Sequence, residues 1–411
     1  MNWINILHFY QPPTSSKEQI DEVVKSSYQP WVDFLNKYKK VKITVNFTGC
    51  LTQKLFSLNY KKLLKDFAKI AKRKQIEFLE SAAFHPILPL LPEKEIIKQI
   101  KINNKINKLH FGKIYKPKGF FLPEMAVSDK VLKIIKKLGY KYIILDEISV
   151  KDSDKNKFNN NIKYKTKNNL EVIFRNRKIS QTFVPETVIN LLEKNNGWLN
   201  APAWSQSVKS QQTGSTQRDG ANALDPTIIT ATDGELYGHK YWNWYPDYSY
   251  LAKNKNITTL TASEYLKILK NTQVVSIRDS SWESTEKELK NKIPFALWNH
   301  PKNKIHKKLW QFANFVLELN YKNQKDPNHF ASRLHLENGL VSCSFWWASS
   351  KNFKEMFSPI AWDPSMVEKG AQELLNSVRS LEKINSQDKL FAEKLFSEIR
   401  NLVWEKHWNN K

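Results

Sequence analysis

Cysteine is nearly missing from this 411-residue chain: Cys50 and Cys343 stand far apart and form no Cys-x-x-Cys pair. That excludes a disulfide framework and a cysteine-built metal site, and it suits a reducing compartment. Arginine is scarce too, eight of the 65 basic residues, although the formal net charge is +25. The excess is lysine, spread along the chain beside Asn and Ile. Without an arginine-rich tract, a zinc-finger spacing or an RNA-binding signature, this charge reads as solvated surface, and no nucleic-acid partner is expected. Long hydrophobic runs are lacking as well. The first seven residues carry no basic leader, and no segment approaches the ~20 apolar residues of a membrane span. The chain is expected in the cytoplasm, with no membrane partner. Glycine, at 11, and proline, at 17, are too few for a collagen-like or linker-rich chain.

What is present is apolar and aromatic: 41% hydrophobic residues, with 14 Trp, 15 Tyr and 22 Phe. A chain of this length and content buries a large core, enough for one big catalytic domain and a smaller one. Short β-like runs at 3–9, 41–47, 75–79, 119–122, 142–145, 171–174, 227–232 and 257–260 alternate with amphipathic stretches at 17–40, 54–74, 93–109 and 128–138. That alternation is the signature of a parallel sheet. Beyond residue 264 the strand signal stops, and 305–319, 364–384 and 387–406 carry helical periodicity. The expected division is a (β/α) barrel over 1–270 and a helical domain over 271–411 packed on it. The polar stretch 195–226 breaks the rhythm, as a lid, a binding loop or a plain solvent loop does.

Three apolar runs end in acids: Gly119-Phe120-Phe121-Leu122-Pro123-Glu124, Tyr142-Ile143-Ile144-Leu145-Asp146-Glu147 and Ile228-Ile229-Thr230-Ala231-Thr232-Asp233-Gly234-Glu235. A carboxylate beside a core is costly unless it is paired or used. His8, Gln11, Thr48, Glu80, His85, Glu124, Asp146, Arg175 and Asp233 all fall at or just past the C-terminal ends of these runs. In a parallel barrel such ends share one mouth. Two carboxyl groups flanking a glycosidic bond are the usual machinery for cleaving it, about 5–5.5 Å apart when configuration is retained. Glu124 follows Phe120 and Phe121, and Asp233 precedes Tyr237, Tyr241, Trp242 and Trp244, aromatic flanks on which sugar rings stack. Taken alone, Glu124 is equally an acid at the start of a helix, Asp233-Gly234 a turn dipeptide, and Asp146 with Arg175 a structural ion pair.

The ordered set of motifs favours chemistry. His8-Phe9-Tyr10-Gln11-Pro12, the run 80–91 from Glu80 through His85, Gly119 to Glu124, and Thr232-Asp233-Gly234-Glu235-Leu236-Tyr237-Gly238-His239 resemble the conserved regions of glycoside hydrolase family 57. Ser281-Trp282 and the Trp-rich 342–347, with Trp346 and Trp347, resemble its later regions. The resemblance implies an α/β fold, a distorted (β/α)7-type parallel barrel followed by a C-terminal helical region. It also implies a retaining enzyme acting on α-glucans, by hydrolysis or transfer, without a metal or organic cofactor. By motif, Glu124 matches the nucleophile and Asp233 the general acid/base. His8, Gln11, Glu80, His85, Phe121, Asp146, Arg175, Glu235, His239, Trp282 and Trp346 are the expected substrate contacts. Four positions depart from the family pattern. Tyr10 stands where a second His is usual, Phe121 where Trp is usual, and Cys343-Ser344 where Asp-Trp is common. The bond-breaking pair is retained while the sugar-contacting shell differs. Two other classes stay open: a glucan-binding protein without turnover, and a metal-dependent polysaccharide deacetylase, for which His8, His85 and His239 are too dispersed.

Overall fold

The computed structural model describes residues 1–155, 159–193, 226–239, 241–351 and 361–409. The polar stretch 195–226 lies, but for its last residue, outside them. The chain divides into two compact units. One comprises Met1–Gln11, Ser15–Ala83 and Pro92–Trp282, the other Pro12–Thr14, Phe84–Leu91 and Glu283–Lys411.

The first unit is α/β. Its strands are β1 (Asn2–Phe9), β2 (Ile43–Phe47), β3 (Ile76–Leu79), β4 (Gly119–Phe121), β5 (Tyr142–Asp146), β6 (Lys163–Lys165), β7 (Glu171–Arg175), β8 (Thr227–Asp233), β9 (Thr258–Thr259) and β10 (Thr272–Val274). One sheet runs β3-β2-β1-β8, with β9 also on β1, all parallel. The other runs β10-β6-β7-β5-β4, parallel except between β6 and β7. A parallel bridge between Glu80 and Phe120 joins β3's end to β4, through Glu80 N to Gly119 O at 2.9 Å and Phe121 N to Glu80 O at 2.8 Å. Between β7 and β8 the bonds pass through Asn176, whose N–H donates to Ile229 O at 2.7 Å and whose Oδ1 accepts from Ile229 N at 2.9 Å.

Every residue of β1 is buried, because a central parallel strand is covered on both faces. Its polar residues are therefore paired: Asn5 Nδ2 donates to Tyr248 OH at 2.8 Å and Trp3 Nε1 to Thr230 Oγ1 at 2.9 Å. The eight expected strands are present. β6 and β10 were not expected, since Lys163-Tyr164-Lys165 and Thr272-Gln273-Val274 lack an apolar run and lie half-exposed. The stretch 17–40, expected as one helix, is three pieces: Lys17–Val23, a π-helical turn Val24–Tyr28, and Gln29–Lys37. The reason is a close approach by the chain beyond β8. A Cβ at Gly238 would lie 1.7 Å from Ser26 O, and Ser27 Oγ donates to Gly234 O at 3.0 Å. The widened turn turns its polar groups onto that segment, as π-turns beside functional sites do.

The second unit is helical in its C-terminal part, with Lys304–Lys322, His329–Gly339, Ser342–Trp346, Pro364–Ser380 and Ser386–Asn409. Among the described residues no helix is long and apolar enough to cross a membrane.

Candidate active site

Glu124 follows β4 through Leu122 and Pro123 and adopts φ +56°, ψ 17°, with Met125 also at φ +46°. A non-glycine residue in the left-handed region costs about 1–3 kcal/mol and persists only where its surroundings over-determine it. Trp282 supplies that constraint. Its backbone N–H donates to Glu124 O at 3.1 Å, and its indole Nε1–H donates to Glu124 Oε2 at 2.9 Å. The segment before Trp282 is itself anchored, Val127 N donating to Ser280 O at 2.8 Å.

Trp282 is the hub of the cluster. The Arg175 guanidinium lies 5.0 Å from its ring centre, His8 and Phe121 meet it edge-on at 6.3 and 6.0 Å, and Arg177 Nη1 donates to its carbonyl at 2.7 Å. Asp146 is only 1% exposed. Its oxygens accept from Arg175 Nε at 2.6 Å, Arg177 Nη1 at 3.0 Å and Ile148 N at 2.9 Å. Arg175 also donates to Ala231 O at 2.8 Å. Asp146 and Arg175, expected as substrate contacts, form a buried ion pair that backs Trp282. Next to them, burial and then the Asp146 charge push the Glu147 carboxyl up to about 7, although Arg177 N and Asn176 Nδ2 hydrogen-bond to it.

His8 is the next-to-last residue of β1 and pairs in register with Asp233, the last residue of β8. Its ring stacks on Phe121 at 4.9 Å and on Tyr10 at 5.9 Å, and its Nδ1 meets Asn46 Oδ1 at 2.9 Å. Burial lowers its pKa to about 4 against the opposing Asn46 bond, so the imidazole is neutral at pH 7. It serves as a hydrogen-bonding group rather than a charge.

Beyond Asp233 the chain turns on Gly234, whose N–H donates to His8 O at 2.7 Å. A Cβ there would fall 2.4 Å from Phe9 Cε1, so only glycine lets this turn close against β1. Glu235 Oε1 is 3.4 Å from Gln11 Nε2, while Oε2 is buried without a hydrogen-bond partner. Burial first and the Asp233 charge second raise the Glu235 pKa well above the carboxylate range. Burial first and the Asp233 charge second raise the Tyr241 phenol too, while burial is the main cause for Tyr237, with Tyr241 and then Asp233 adding to it. Thus Glu124, Trp282, Phe121 and His8 form one chain of contacts from β4 to β1, where His8 is the register partner of Asp233 on β8, whose charge in turn acts on Glu235.

The remaining expected residues lie elsewhere. Glu80 is fully buried, and its carboxylate accepts from Asn103 at 2.5 Å, Asn104 at 2.6 Å, Tyr115 at 3.0 Å and Tyr140 at 3.0 Å. These neutral side chains and Ser81 N, at 3.3 Å, surround the carboxylate of this expected substrate contact. His239 is exposed, 3.5 Å from Glu22 on the surface. His85 and Trp346 belong to the second unit. There His85, at φ +54°, pairs Nδ1 with Ser342 Oγ at 2.9 Å, and Trp346 packs edge-on against Trp347 at 4.3 Å. Sequence reasoning missed Arg177, Asn46 and the cage around Glu80. The cage had a signal, Asn103, Asn104 and Asn107 clustered on a helix whose apolar face should hold none of them; Arg177 had none. Among the described residues no group of three or more His, Cys, Asp or Glu side chains is arranged to hold a metal ion.

The family model described as glycosyl hydrolase family 57 matches residues 4–278. This chain belongs to that family. Among curated relatives, α-amylase 1 of Dictyoglomus thermophilum is 32% identical over 141 residues, a stretch covering 34% of this chain and 20% of that protein. The match therefore spans about a fifth of the relative's length. Among solved structures, the 4-α-glucanotransferase of Thermococcus litoralis superposes with a TM-score of 0.67 at 17% identity, over 94% of this chain and 61% of that one. The family 57-type branching enzyme of Pyrococcus horikoshii gives 0.65 at 17% identity, over 98% and 94%. At such identities the likeness is one of fold, and it places this family member among α/β structures of the same kind.

Proposed function

We propose that this family 57 protein is a retaining glycoside hydrolase or transglycosylase acting on α-glucans. The observation that carries the proposal is the strained backbone of Glu124, held by both the backbone and the indole N–H of Trp282, in contact through His8 with the strand that ends in Asp233. Strain at one acid, maintained by a dedicated neighbour, is the mark of a site kept for use. In this reading Glu124 attacks the anomeric carbon, and the glycosidic oxygen leaves with the proton of Asp233. Asp233 then takes a proton from the incoming water or sugar hydroxyl, and the glycosyl–Glu124 ester is broken. The indole of Trp282 holds the Glu124 carboxylate in its attacking orientation. Neutral His8, Gln11, Phe121 and Glu235 line the sugar between the two acids. The strands close into a seven-stranded barrel with the Glu80–Phe120 bridge as one seam and the Asn176 bonds as the other. Relatives named α-amylase, 4-α-glucanotransferase and branching enzyme point to glucose polymers as substrate. The low cysteine content fits a cytoplasmic setting.

Product analysis with maltoheptaose as sole substrate tests this for the wild type, Glu124→Ala and Asp233→Ala. Shorter products alone mean hydrolysis; a ladder above and below the input means transfer. Glucan binding without any product from the wild type, or equal product from all three proteins, would reject the enzyme.

A further inference from the structure

We infer that Arg177 is a positioning residue for the glycosyl transfer step: it fixes Trp282 so that the indole can hold Glu124. The inference rests on the reading above and adds a residue outside the family motifs. Arg177 stands two residues beyond the end of β7, at the start of the short helix Arg177–Ser180. One nitrogen, Nη1, donates twice, to Asp146 Oδ1 at 3.0 Å and to the Trp282 carbonyl at 2.7 Å. Its own backbone N–H donates to Glu147 Oε2 at 3.1 Å, which orients the start of that helix.

Charge pairing alone does not account for Arg177. Asp146 already has a buried partner in Arg175, at 2.6 Å. What Arg177 adds is the bond to the Trp282 carbonyl. Besides the edge contacts of its ring with His8 and Phe121, Trp282 is attached through the backbone N–H on Glu124 O, the indole N–H on Glu124 Oε2, the ring face over Arg175, and the carbonyl on Arg177. The first two lead to Glu124 itself and cannot hold Trp282 against it independently. The third, like the edge contacts of His8 and Phe121, acts on the ring and not on the peptide. The fourth sets the peptide, and with it the height of the indole relative to the carboxylate. An error of an ångström there breaks a hydrogen bond made to a charged group, and such bonds are steeply directional.

The test measures steady-state kinetics on maltoheptaose across pH for the wild type, Arg177→Met, Arg177→Lys and Arg278→Met, with thermal unfolding of each. Arg278 tethers the same loop four residues before Trp282, donating from Nε to Ile148 O at 2.8 Å, and serves as the control. Arg177→Met should lower kcat about 10- to 100-fold, the worth of a hydrogen bond to a charged group, while KM changes far less. The acid limb of the rate profile should move upward by about one pH unit, because Glu124 loses a donor to its ionised form. Arg177→Lys should restore stability and part of kcat, and it carries the test if the Met variant does not fold. Arg278→Met should leave the limb in place. A kcat loss without movement of the acid limb, or an equal effect from Arg278→Met, would reduce Arg177 to a structural residue and overturn the inference alone. An inactive wild type would overturn the functional reading and this inference with it.

Discussion

Glu124 and Asp233 each stand just beyond a parallel strand and are each half-exposed, yet the protein surrounds them differently. Around Glu124 are an indole donor and, behind it, two guanidinium groups balanced by Asp146. Beyond Asp233 are a second carboxyl and two phenols, Glu235, Tyr237 and Tyr241, all shifted toward their protonated forms, by burial first and, for Glu235 and Tyr241, by the Asp233 charge next. The repulsion between Asp233 and Glu235 acts on both partners. One neighbourhood offers a hydrogen-bond donor backed by cations, the other makes a second negative charge beside Asp233 costly. Two carboxylic acids in such different surroundings fit the nucleophile and proton carrier proposed above.

The sharpest way to break this comparison is to remove each acid in turn. Glu124→Gln and Asp233→Asn should each lower kcat on maltoheptaose by at least about 10²–10⁴-fold. The two should separate on a nitrophenyl maltoside, whose leaving group departs without a proton. Cleavage of that bond should recover in Asp233→Asn and stay absent in Glu124→Gln. Equal recovery, or none in either, would show that their roles do not differ. Next in size is Trp282→Phe, which keeps a ring over Arg175 but deletes the indole donor. A loss of about tenfold or more in kcat with KM little altered is expected, and an unchanged kcat would remove what distinguishes the Glu124 side.

The third effect is on stability. Glu147 binds its proton more tightly folded, at about 7, than unfolded, where it is an ordinary carboxyl. Its contribution is therefore complete below about pH 4.5 and is lost as pH rises to about 7, up to about 3 kcal/mol across that window. Glu147→Gln should flatten the fall in unfolding free energy between pH 5 and 7.5 measured by urea titration. An unchanged slope would mean that Glu147 ionises normally beside Asp146. Smallest is Glu80→Gln, which leaves the cage of Asn103, Asn104, Tyr115 and Tyr140 with a mismatched amide. Stability should drop by about 1–3 kcal/mol with activity per folded molecule retained. A selective loss of activity would return Glu80 to the substrate contacts.

Much of this molecule is readable from its residues. The alternation of short apolar runs with amphipathic stretches marks the eight main strands, because parallel strands buried on both faces must be continuously apolar. The positions of polar groups just past those runs mark where function concentrates. Edge strands β6 and β10 escape because a half-exposed strand carries no such run, and the π-helical turn at Val24–Tyr28 escapes because its cause, Gly238, is over 200 residues away. Within the site, the chain order names Asp146, Arg175 and Glu80 as candidates but cannot say whether their charges face a ligand or each other. That depends on which donors the fold brings within 3 Å, and for Glu80 these come from Asn103, Asn104, Tyr115 and Tyr140.

Residue types and their local order by themselves determined the α/β class, the strand ends that carry acids and the family motifs, since each depends on neighbours close in sequence. Only the tertiary structure decided that Trp282, 158 positions from Glu124, holds that acid in a left-handed backbone, and that Asp146 is spent on Arg175 and Arg177. Hydrogen bonds and ion pairs are fixed by distances of a few ångströms, and distances between residues far apart in the chain exist only once the strands have paired.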